Sequence, residues 1–181
     1  MATFIGLLRA INLGAHNKVS MPDLKALLTD IGMTNAQTLL QSGNLVFDSS
    51  VRATAPLEKL LEASAARKLG LETAFFVRTG SEWQQAIADN PFPKEAKLDP
   101  GHTVLMCLKD APSPAAVKAL QDAIKGREVV RVKGRHAYFH YPDGIGSSQL
   151  TIKVIEKKLA TLGTARNWNT VLKLGALTEK S

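Results

Sequence analysis

A single cysteine, Cys107, stands in the whole chain. That excludes an intrachain disulfide framework and any zinc site built from several thiolates. Aromatic residues are sparse, at 6%, with only two tyrosines and two tryptophans among them. No apolar run approaches the roughly 20 residues that span a bilayer. The run from Phe4 to Leu8 is too short for a signal-peptide core, and Arg9 follows it instead of preceding it. These absences predict a cytoplasmic protein with a reduced thiol and no membrane partner. Also missing are the Gly-Lys-Ser/Thr ending of a phosphate-binding loop, the Gly-x-Ser-x-Gly elbow and the His-Glu-x-x-His pair. No two carboxylates are spaced as a convincing acid/base couple. The sequence therefore assigns no catalytic residue, no metal ligand and no cofactor, and leaves open whether the protein is an enzyme.

What is present is an ordinary globular mixture. Hydrophobic residues make up 45% of 181 and charged residues 22%, which excludes disorder as the main state. Residues 3–8 predict a buried strand. Ser20 is placed to cap a helix through Asp23, with Leu24, Leu27, Leu28 and Ile31 at helical spacing and Gly32 as the stop. The segment 38–47 predicts a hairpin around Ser42-Gly43-Asn44. A helix with Leu57, Leu60, Leu61 and Leu69 ends at Gly70, a strand covers 72–78, and Thr79 with Glu82 caps a helix carrying Trp83 and Ile87. The order β-α-β-β-α-β is the ferredoxin-like unit.

The same order then returns. A strand at 102–109 precedes a helix capped by Ser113 with Pro114 first, and strands 128–132 and 136–141 flank Lys133-Gly134-Arg135. Asp143 to Ser148 is expected to open a helix that stops at Gly163. A short strand at 164–166 leads to a last helix capped by Asn167. The predicted fold is α+β, with two ferredoxin-like βαββαβ repeats, each followed by an extra helix. The first repeat spans 1–90, a linker 91–100 and the second repeat 101–181. Such a sheet carries helices on one face only, so the two halves or a second chain must cover the other.

In this topology the first two strands run parallel, with the third between them. The loop after the first strand therefore meets the hairpin at one sheet edge. Arg9, Asn12, Asn17 and Lys18 gather there with Gln41, Ser42, Gly43 and Asn44. Several donors at one edge suit a small anion or a nucleotide. The competing reading is that the amides and hydroxyls bond their own turns.

The dense polar-aromatic run Arg166-Asn167-Trp168-Asn169 is open to the same two readings, an anion site or a capped helix with a buried anchor. The loop at 143–148 offers backbone N–H groups to an anion, or simply begins a capped helix. His136 and His140 lie on one strand face roughly 13 Å apart at about 3.3 Å per residue, too far for one metal ion. Tyr138 between them suggests a half-exposed face. Cys107, in an apolar strand without a basic neighbour, is a packing residue.

These segments also carry a resemblance. GLLRAINLGAHNKVSM (6–21), TLLQSGNLVF (38–47), YPDGIGSSQLT (141–151) and TARNWNTVLKL (164–174) resemble a bacterial family, number 1697 among the domains of unknown function. The resemblance implies two ferredoxin-like repeats with extra helices and no established activity. It maps the family's recurrent polar positions onto Arg9, Asn12, Asn17, Lys18, Gln41, Ser42, Gly43, Asn44, Ser148, Arg166, Asn167, Trp168 and Asn169. The chain departs from the pattern at Ala10 and Ala15, where glycine is common, at Leu39, where an aromatic is common, and at Gln149, where lysine is usual.

Charge supplies the alternative. The formal net charge is +7; residues 1–90 are balanced, and the whole excess falls in 91–181. Arg127, Arg131, Lys133 and Arg135 followed by Tyr138 form a basic hairpin with nearby aromatics, a pattern that suits nucleic acid. A solvated basic edge that discourages strand pairing is its plain counterpart. The sequence thus predicts small-anion or nucleotide binding at the first repeat, with nucleic-acid binding by the second as the alternative. It is silent on oligomeric state.

Overall fold

The computed structural model describes residues 1–9, 19–39 and 43–179. It contains two four-stranded antiparallel sheets with helices, an α+β fold of two ferredoxin-like units. In the first unit, β1 (Ala2–Leu8), α1 (Met21–Asp30), β2 (Thr34–Leu39), β3 (Asn44–Ser49), α2 (Thr54–Leu69) and β4 (Phe75–Thr79) follow one another, and the strands order as β2-β3-β1-β4. α3 (Gly80–Ala88) comes next. The stretch 91–100, expected as a linker, carries a short helix, α4 (Pro93–Leu98), and leads into a single 3-10 turn. In the second unit, β5 (Thr103–Leu108), α5 (Pro114–Ala123), β6 (Val129–Lys133), β7 (His136–His140), α6 (Ile152–Leu159) and β8 (Gly163–Asn167) repeat the order as β6-β7-β5-β8. α7 (Trp168–Glu179) ends the description. One compact unit comprises Met1–Gln85 together with the chain from Lys173 onward; the other is Ala86–Leu172.

Local chemistry explains the boundaries. The Ser20 hydroxyl accepts from the Asp23 N–H at 3.1 Å, and the Ser113 hydroxyl accepts from the Ala116 N–H at 3.1 Å. Thr79 and Glu82 cap α3 reciprocally, each side chain accepting the other's backbone N–H at 3.0 Å. Gly70 ends α2 with φ at +62°, a conformation costly for residues with a Cβ.

The strand expected at 72–78 begins only at Phe75, and both boundaries of α6 differ from expectation. α6 starts at Ile152, where the Thr151 hydroxyl accepts from the Val154 N–H, so 143–148 forms turns and does not open the helix. Its stop is Ala160 at φ +58°, not Gly163. Gly163 lies in β8 for a different reason: a Cβ there would meet the Met106 side chain and come within 3.0 Å of the Cys107 carbonyl oxygen.

In the first unit, Phe4 and Leu8 of β1, Leu45 and Phe47 of β3, and Phe75 and Val77 of β4 pack with Leu24, Leu28, Leu57 and Leu61 of the two helices. In the second, Met106, Leu108, Val130 and Phe139 pack with Leu120, Ile155 and Leu159. The opposite strand faces are buried as well: Ile5, Leu7, Val46 and Phe76 in one unit, Leu105, Cys107 and Tyr138 in the other.

The last strand of each sheet is an edge, and acidic side chains close it. Glu62 accepts from the Phe75 N–H and Glu58 from the Val77 N–H, both at 2.8 Å. Glu156 accepts from the Gly163 N–H at 3.0 Å. Register makes Phe75 and Gly163 equivalent, since they pair with Leu8 and Leu108. Both units thus blunt the same edge in the same way, which removes free donors that another strand would use.

Candidate functional site

The end of the first sheet that β1 leaves and the hairpin enters is built by two backbone links and one from a side chain. The Leu8 N–H donates to the Gly43 carbonyl at 3.0 Å, the Arg9 N–H to the Ala74 carbonyl at 3.1 Å, and the Thr73 hydroxyl to the Arg9 carbonyl at 2.5 Å. The strand pairing alone dictates this meeting, because Leu7 faces Asn44 and Leu8 faces Phe75. Arg9 is half-buried at this end. Gly43 adopts φ +76°, which the hairpin demands and a β-carbon would strain. Asn44 is fully buried, and its amide donates to the Leu39 carbonyl at 2.9 Å, stapling the hairpin it belongs to. Asn12, Asn17, Lys18, Gln41 and Ser42 lie outside the described residues.

The run after β8 is divided by burial. Arg166 is buried on β8, and its guanidinium donates to the Thr164 hydroxyl at 2.9 Å and the Ala165 carbonyl at 2.8 Å. Burial pulls its pKa down to about 10, so it remains a cation at neutral pH. Asn167 caps α7, accepting from the Thr170 N–H at 3.1 Å. Trp168 is buried and Asn169 exposed.

In the basic hairpin the charges and the rings part company. Arg131 and Lys133 are exposed. Lys133 pairs with Asp89 at 3.0 Å, and Arg127 grips Asp143 with two donors. That hydrogen-bonded grip holds the Asp143 carboxyl below its usual range. Arg135 is half-buried. Tyr138, however, is 2% exposed, and its hydroxyl donates to the Ala86 carbonyl at 2.6 Å. Phe139 and Tyr141 are buried too. The expected half-exposed face is therefore a buried one, because β7 is a central strand covered on both sides. Neither Tyr138 nor Phe139 is available to stack on a base.

Burial sets the behaviour of both tyrosines. It pushes Tyr138 well above the ordinary phenol, with Asp89 adding to the shift, and Tyr141 up to about 12, with Glu128 adding. A raised folded pKa means stability that is intact below the unfolded value near 10 and lost as pH rises through the folded one. Because the chain has two tyrosines, the ultraviolet absorbance of tyrosinate reports on these alone. The folded protein should show no tyrosinate at pH 10.5, roughly half a unit above the ordinary phenol pKa. In urea both should ionise near 10, and the melting temperature should fall from about pH 10 upward. Half-ionisation near 10 in the folded protein would contradict the burial.

Two groups escape sequence reasoning. His140 is 9% exposed, with Nδ1 3.2 Å from the Thr103 hydroxyl and Nε2 3.9 Å from Asp99. Asp99 also meets His102 at 3.1 Å. Spacing carries no trace of this cluster, since the partners come from the 3-10 turn, β5 and β7. Among the described residues, no group of three His, Cys, Asp or Glu side chains is disposed to hold a metal ion. The second group is Glu128, a lone acid in a basic run, to which the Ser148 hydroxyl donates at 2.7 Å. No described helix is long and apolar enough to cross a membrane.

The fold has a solved counterpart. A conserved bacterial protein from Streptococcus pneumoniae superposes with a TM-score of 0.77 at 21% identity, covering 98% of each chain. At that identity the likeness speaks to the fold alone. No curated protein matches the sequence. A family model described as "protein of unknown function" matches residues 1–138. It takes in β1, the hairpin and the second unit up to the middle of β7. The edge that joins Arg9 to Gly43 and Asn44 thus falls within that match, and the chain belongs to the DUF1697 family.

Proposed function

We propose that the chain is a cytoplasmic protein that binds a small anion or a nucleotide at the hairpin end of its first sheet. The observation that carries this reading is the bond from Leu8 N–H to Gly43 O, which sets Arg9 beside the hairpin. A half-buried arginine whose backbone adjoins a turn with a positive-φ glycine suits an anion, since a guanidinium's planar fork matches phosphate oxygens. The sequence adds Asn12, Asn17, Lys18, Gln41 and Ser42 to the same connections. The buried β7 aromatics count against the nucleic-acid alternative, which is left with surface cations, two of them already paired.

A thermal-shift series with nucleotides and phosphorylated metabolites tests the reading. A ligand at a hundred times its Kd stabilises the native state by about 2.7 kcal/mol. The parent protein should gain several degrees with at least one phosphate-bearing compound. Arg9→Ala should lose that gain, each protein's ligand shift being measured from its own unliganded melting temperature. Equal stabilisation of parent and Arg9→Ala would place the ligand elsewhere.

A further inference from the structure

The second unit holds a cleft of about 320 Å³ beside the glycine-containing loop, at the small end of ligand sites. Ala123 to Gly126, at the end of α5, line one part of it; Asp143, Gly144 and the stretch from Ser147 to Leu150 line another. Ile124, Leu150 and Val154 give it apolar surface. The loop is held by its own bonds: Gly144 N–H to the Tyr141 carbonyl at 3.0 Å, Ser148 N–H to the Ile145 carbonyl at 3.2 Å, and the buried Tyr141 hydroxyl to the Leu150 carbonyl at 3.1 Å.

Two opposite charges in this lining, Glu128 and Lys125, have no ion-pair partner among the described residues. The Ser148 hydroxyl accepts from the Leu150 N–H at 3.0 Å and donates to Glu128 Oε1 at 2.7 Å. This aims the half-buried carboxylate. Glu128 Oε2 lies where a Cβ on Gly126 would be only 2.5 Å away, so the absence of a side chain at Gly126 makes room for it. Among the described residues nothing donates to Oε2, and nothing acidic meets the exposed Lys125. The other acid of the lining, Asp143, is engaged by Arg127.

We propose that this cleft binds a small zwitterion of the amino-acid class, its ammonium on Glu128 Oε2, its carboxylate toward Lys125 and its apolar body on Ile124, Leu150 and Val154. A simple anion meets repulsion from Glu128. A divalent cation finds Glu128 and a hydroxyl, with Asp143 held by Arg127, far short of the six or more oxygens that calcium takes. A bare amine satisfies Glu128 but brings a like charge to Lys125.

Two-dimensional ¹⁵N NMR of the full chain, titrated with a panel of apolar amino acids headed by leucine, tests this. Leucine is compared with 3-methylbutylamine, which lacks the carboxylate, and 4-methylpentanoate, which lacks the ammonium. At least one amino acid should shift the amides of Gly126, Gly144 and Ser148, and each truncated analogue should bind about tenfold or more weakly. Glu128→Gln should abolish the shifts and Lys125→Ala should weaken them, whereas Arg9→Ala should leave them intact. The assignment fails if no member of the panel moves these amides, or if the amine alone binds as well as the amino acid. It also fails if Glu128→Gln, still folded by its spectrum, binds unchanged. The analogue comparison uses the parent protein, so it decides the matter even if a variant misfolds.

Discussion

Replacing Glu58 by alanine should lower the free energy of unfolding by about 3–5 kcal/mol, the usual cost of removing one partner from a buried ion pair. Arg78 has no exposure, and its guanidinium lies 3.7 Å from Glu58 Oε2. The same carboxylate oxygen accepts the Val77 N–H at 2.8 Å. Alanine therefore takes from Arg78 its counter-ion and from the edge of β4 an acceptor in one step. Glu58→Gln separates the two effects, because an amide oxygen can still take the Val77 N–H while the charge is gone. The double variant Glu58→Ala, Arg78→Met should recover most of the loss, since the buried charge leaves together with its partner. Urea unfolding followed by circular dichroism measures all three. A Glu58→Ala loss below about 1 kcal/mol, the scale of a surface pair, would mean that Arg78 is held by its other contacts.

This pair also shows where sequence reading stops. Glu58 looks like any helix-surface acid: it follows Leu57 and precedes Lys59. Its task is set by β4, which lies 19 residues further on. Caps behave differently, because a cap and its target are three residues apart. Ser20, Thr79, Ser113 and Asn167 are all legible as caps, and each accepts the expected N–H. The ends that misled were those decided across the fold. Ala160 takes the left-handed turn that a glycine would normally take, and Gly163 is reserved for the crowded approach of β8 to Met106 and Cys107.

The strand faces teach the same lesson. Alternation predicts one wet side for β7, yet Tyr138 and His140 are buried there beside Ala137 and Phe139. A strand covered on both faces loses its alternation signal, and only an unusually apolar composition hints at it. The candidate edge at Arg9 and Gly43 was legible for a simpler reason. A βαββαβ order fixes strand directions, so it fixes which loops share an end whatever covers the faces. Glu128 was not legible, because its meaning rests on Ser148, 20 residues away across a loop.

The other large effect lies in the first core. Phe47 is fully buried and stacks on Phe4, with ring centroids 5.9 Å apart and an interplanar angle of 22°. The two are direct cross-strand partners on the helix-facing side of the sheet. Gly6, next but one along β1, leaves room for the Phe47 ring; a Cβ there would come within 3.2 Å of it. Phe47→Ala removes the ring while the strands on either side stay pinned by their ladders, so the space collapses little. A loss of about 3–5 kcal/mol follows from transfer and cavity together, including the pair term of about 0.5–1.5 kcal/mol. Phe47→Leu should cost distinctly less, because it refills most of the volume. Filling from the other side discriminates further. Gly6→Ala alone is crowded by the ring, but in the Phe47→Ala background the added methyl enters the vacated space, so the two substitutions should be less damaging together than their separate costs predict. Simple additivity in urea unfolding would show that the Phe47 ring does not occupy the space over Gly6.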